Sequence, residues 1–145
     1  LWQAAMRAPT VFNFFEPNYV LPGPVAEAGL YAPEYQILND TSALTQANFF
    51  YTYIYNTRSA TNPAQETVGL ALTSWLPRVR TPAQLVDAIN LVLTGATMPK
   101  TTADRVVAAL SAMPAGTGTS TTADLERVRS AIYLVLTSPQ GAIQK

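Results

Sequence analysis

Apolar positions along this chain follow two different regimes, regular in the C-terminal half and crowded between prolines near the front. From Thr81 onward they recur at three- and four-residue spacing, the signature of amphipathic helices. Thr81-Pro82-Ala83-Gln84 reads as a capping box with proline at the first helical position, and Gly95 as a stop, so the pattern predicts a helix over 82–94. Leu85, Ala88, Ile89, Val92 and Leu93 make its expected core-facing stripe, with Asp87 and Asn90 off it. A second helix is expected from Thr101 or Thr102 to just before Pro114, with Asp104 in the first turn, where the helix dipole favours an anion. It should bury Val106, Val107 and Leu110. The run AGTGTSTT, 115–122, is a connector. Asp124 and Glu126 then open a last helix with Leu125, Val128, Ile132, Val135 and Leu136 as its stripe, ended by Ser138-Pro139.

The middle of the chain is less regular. Asn39-Asp40-Thr41-Ser42 supplies N-cap oxygens ahead of ALTQANFFYTYIYNT, predicting a helix over about 41–57. Leu44, Ala47, Tyr51, Ile54 and Tyr55 form one stripe, but Phe49, Phe50 and Tyr53 occupy the other side, as expected of a helix covered on two sides. The alternating aromatics of FFYTYIY also suit a strand, and the length and capping run favour helix. Residues 59–66 read as a polar loop, and TVGLALTSWL, 67–76, fits a short helix or an extended piece equally. No repeat period emerges.

Ahead of residue 40 the prolines dominate. Pro9, Pro17, Pro22, Pro24 and Pro33 lack backbone donors and bias their predecessors away from helix, so Phe12, Phe14, Phe15, Tyr19, Tyr31 and Tyr35 are expected on an extended, ordered arm. Those rings need covering, which makes the arm an expected interface, together with Phe49, Phe50 and Tyr53 of the following helix. The expected organisation is an arm over 1–39 and a helical domain over 40–145, together one domain.

Composition sharpens this picture. The chain has 145 residues, of which 48% are hydrophobic and 12% charged. Soluble domains carry about 25% charged residues, so this surface is either unusually neutral or partly covered by a partner. Nine basic and nine acidic residues cancel, and no window concentrates Lys or Arg. A nucleic-acid partner is therefore not expected. No apolar run approaches the roughly 20 residues of a membrane span. The chain starts at Leu1 with no signal pattern after it, and the apolar excess fits a fragment of a longer parent; a complete but greasy domain is the alternative. Few lysines and many Ala and Thr hint at a GC-rich bacterial gene and an exported product.

Chemistry is restricted by what is missing. With no His and no Cys, the chain offers no nucleophile–imidazole pair, no thiolate and none of the usual nitrogen or sulfur metal ligands. No cofactor and no catalytic residue are expected. Carboxylates remain, and Glu16, Glu27, Glu34 and Asp40 gather in or beside the arm, but without a calcium-loop signature, so turn chemistry is the better account. Arg78 and Arg80 precede the N-terminus of helix 82–94 and are anion-site candidates; pairing with a carboxylate of the same fold is the commoner use of such arginines. Asn39-Asp40-Thr41 is formally a glycosylation sequon and equally an N-cap run.

Three stretches carry a family resemblance: PTVFNFFEPNYVLPGP with AGLYAPEYQIL at the front, LVDAINLVLTGATMP in the middle and RVRSAIYLVLTSPQ at the end. In this order they resemble the C-terminal part of the bacterial family known as domain of unknown function 1800. The resemblance implies a much longer, helical parent that is commonly exported, to the periplasm or beyond, and supplies no catalytic residues. The combined expectation is an all-α module of about four main helices with a non-catalytic, structural role. It would dock the missing N-terminal part of its parent or further copies of itself. The alternatives are a wall of an active site built upstream, contributed through Glu34, Arg78 or Arg80, and a carbohydrate-binding module using exposed aromatics.

Overall fold

The structure, a computed structural model, describes residues 6–36, 40–55, 70–114, 116 and 121–142. Its regular elements among these residues are all helical, so the chain is all-α. In order they are α1 (Pro24–Glu27), a 3-10 helix (Pro33–Gln36), α2 (Asp40–Tyr55), a second 3-10 helix (Leu72–Arg78), α3 (Pro82–Thr94), α4 (Lys100–Ala112), α5 (Thr121–Leu136) and α6 (Pro139–Ala142). The four long ones are the four read from the sequence. The chain divides into two compact units, Leu1–Phe49 and Phe50–Lys145, so the division falls inside α2 rather than ahead of it. The expected polar loop 59–66, and most of the connector 115–122, lie outside the described residues.

In the first unit the proline-rich segment is a chain of tight turns, not the extended arm expected. Thr10 and Asn13 close one turn through the Asn13 N–H, 3.2 Å from the Thr10 carbonyl, with Asn13 at φ 75°. Gly23, at φ 106°, leads into Pro24 at the start of α1. Gly29 then ends α1 at φ 64°, its N–H reaching Ala26 O (3.0 Å) while Leu30 N–H reaches Val25 O (3.1 Å). That crossed pair is a Schellman cap, which only a left-handed residue completes easily. Backbone bonds also bring distant parts of the segment together: Ala32 N–H donates to Tyr19 O at 2.9 Å, and Glu16 N–H to the Gln36 side-chain oxygen at 2.7 Å. The prolines excluded a long helix, but the Gly-Pro and Ala-Gly pairs left room for a single turn of one.

The second unit is built around α5, against which α3, α4, α6 and the 3-10 helix 72–78 all pack, while α3 also packs on α4. Leu85, Val86 and Ile89 from α3, Val106 and Leu110 from α4, and Val128, Ala131 and Val135 from α5 form its buried core. Each fully buried Leu, Ile or Val contributes about 1.5–3 kcal/mol relative to its exposed state, so this cluster carries the unit's stability.

Four helix faces differ from those expected. On α3 the buried face runs through Leu85, Val86, Ile89 and Asn90, whereas Val92 is 66% exposed and Leu93 is also open. On this face Asn90 turns inward and binds the loop after the helix. On α5 the buried positions are Asp124, Arg127, Val128, Ala131, Ile132 and Val135, while Leu125 and Leu136 are half-buried. On α2, Ile54 is buried and Phe50 and Tyr55 pack on the second unit's core, whereas Leu44 and Tyr51 are exposed. Val107 is half-buried rather than buried. The capping box also does not form. Thr81 starts α3 through its carbonyl, which accepts from Leu85 N–H at 3.1 Å, but its side chain makes no cap bond. Its backbone, at φ −120° and ψ 86°, falls short of the extended conformation from which an N-cap hydroxyl reaches back.

Candidate functional site

Two features stand out: a charged knot inside the second unit and an open apolar surface on the first. The knot begins with Asp124 and Arg127, three residues apart and therefore on one face of α5. Arg127 is 5% exposed. Its guanidinium donates to the Met113 carbonyl at 2.6 Å and, at the long limit of a hydrogen bond, to the Val79 carbonyl at 3.4 Å. Met113 follows the last residue of α4, and Val79 follows the 3-10 helix 72–78, so one cation serves the carboxyl ends of two helices. Arg80 completes the knot, bonding the Gly116 carbonyl at 2.6 Å and Asp124 Oδ2 at 3.2 Å. These two arginines tie the α4–α5 connection to the start of α5 and the end of the 3-10 helix.

Arg80 is thus engaged with protein atoms, including a carboxylate of the same fold. Arg78 is exposed in the last turn of the 3-10 helix. Glu16, Glu27, Glu34 and Asp40 are all exposed, and among the described residues no group of three or more acidic side chains gathers as a metal site. The knot anchors the fold: its strong donors end on main-chain carbonyls and on Asp124.

Asn90 plays a similar part at the other end of α3. Its side-chain oxygen accepts from Met98 N–H (3.3 Å) and from the Thr94 hydroxyl, and its carbonyl from Ala96 N–H (3.1 Å). It stitches the helix end to the turn through Gly95 and Ala96, both left-handed. An aromatic cluster holds the end of α2: Tyr51 and Tyr55 stack at 4.7 Å, Tyr133 meets both edge-on, and the Tyr55 hydroxyl lies 2.8 Å from Ser130 Oγ.

Arg127 and Asn90 are polar and so lie outside the apolar stripes that predict the core faces of α5 and α3. Extending the spacing of Val128, Ala131, Ile132 and Val135 backward lands on Asp124 and Arg127, which was the available signal.

The residues expected at an interface are distributed unevenly. Phe12, 57% exposed, sits in the Thr10–Asn13 turn, while Phe14, Phe15 and Tyr19 are half-buried. Phe49 and Tyr53 lie toward solvent on α2, and Phe50 is half-buried against the second unit's core. Val11, Val20, Leu30 and Tyr31, the last 67% exposed, add to the open apolar surface of the first unit. Among the described residues of that unit Ala32 alone is buried. Among the described residues, too, no helix is long and apolar enough to cross a membrane. No family model, no curated protein and no solved structure matches the chain.

Proposed function

We propose that this chain is a non-catalytic docking module, the C-terminal part of a larger exported bacterial protein, and that its proline-rich segment binds the upstream part of that parent. The observation that carries the reading is the exposure of Val11, Phe12, Leu30 and Tyr31 on a segment held in shape by its own turns. A segment ordered by backbone bonds keeps its rings available, so a partner covers them without first bearing the entropy of ordering the chain. Such exposed apolar groups, set in a surface poor in charge, mark association sites rather than solvated ones. The resemblance to domain of unknown function 1800 supports the choice of an upstream segment as partner, with a second copy of the chain as the competing occupant.

The test is direct. The upstream part, produced as a separate polypeptide, should bind the chain, and the Phe12→Ser, Tyr31→Ser double variant should weaken that binding at least tenfold. A gene whose reading frame starts at Leu1, or an upstream part indifferent to the double variant, overturns the proposal.

A further inference from the structure

We draw no further inference here: the strongest candidate, the exposed apolar run Leu91-Val92-Leu93 at the C-terminal end of α3, carries nothing because nothing in the structure shows what covers it.

Discussion

Replacing Arg127 by methionine isolates the worth of the charged knot, because methionine retains the apolar stem and volume while removing the guanidinium. The bond to Met113 is short, at 2.6 Å, and belongs with charge-assisted bonds, which contribute about 1.5–3 kcal/mol each. The 3.4 Å contact to Val79 adds little. Against this, the Arg127 Nε is buried and has no hydrogen-bond partner among the described residues, a cost that methionine removes. The variant also leaves the Met113 carbonyl without this donor, so the balance is a net loss of about 1–3 kcal/mol for Arg127→Met. Arg127→Ala should lose roughly 2–5 kcal/mol more than the methionine variant, since a methylene, a sulfur and a methyl group then leave the core. Arg127→Lys should fall between wild type and Met, because a single ammonium does not span two carbonyls. Urea unfolding of the full chain, followed by its far-UV helix signal, gives the midpoints, and equal slopes certify that stability alone has changed. A methionine variant as stable as wild type, or more so, would refute the reasoning. Desolvating the guanidinium would then cost more than its bonds return.

Ile89→Ala should cost about 2–5 kcal/mol, because Ile89 is fully buried, while Val92→Ala should stay within about 0.5 kcal/mol of wild type; a reversed order in urea would restore the stripe first expected on α3. Gly141→Ala should destabilise by about 1–3 kcal/mol, because its Cβ would fall on the Val135 carbonyl oxygen and 2.8 Å from Leu136 Cα, and an unchanged thermal midpoint would show that α6 moves aside freely. The purified chain should turn over no generic ester, peptide or glycoside substrate and should not retain stoichiometric zinc through dialysis, given the absence of His and Cys; metal analysis and turnover lost on Glu34→Gln or Asp40→Asn are the contrary results.

Helix boundaries were legible where the backbone itself carries the signal. Pro82 and Gly95 bracket α3 at the positions expected, since a missing donor and a left-handed φ are local properties. Faces were less legible. The inward turn of Asn90 depends on Met98, and the burial of Arg127 depends on carbonyls at Val79 and Met113; none of these three partners adjoins its residue in sequence. On α2, apolar groups on every side left its periodicity unable to choose a core face, and contact with the second unit's core selected Phe50, Ile54 and Tyr55. The turns of the first unit were written in Gly23-Pro24 and Ala28-Gly29, but the density of prolines pointed to extension and hid them. Of the site candidates, Arg80 and Asp124 are 44 residues apart, so only the fold pairs them, whereas the exposure of Phe12 and Tyr31 follows from turns their neighbours encode.

Sedimentation velocity of the chain mixed with the upstream part of its parent tests the docking claim most directly. The account predicts a single faster boundary at micromolar concentration, resolved into two separate components by Phe12→Ser with Tyr31→Ser, while the unfolding midpoint of the double variant stays at the wild-type value because both rings face solvent. Two independent boundaries for the wild-type mixture, or a complex that the double variant leaves intact, would contradict it.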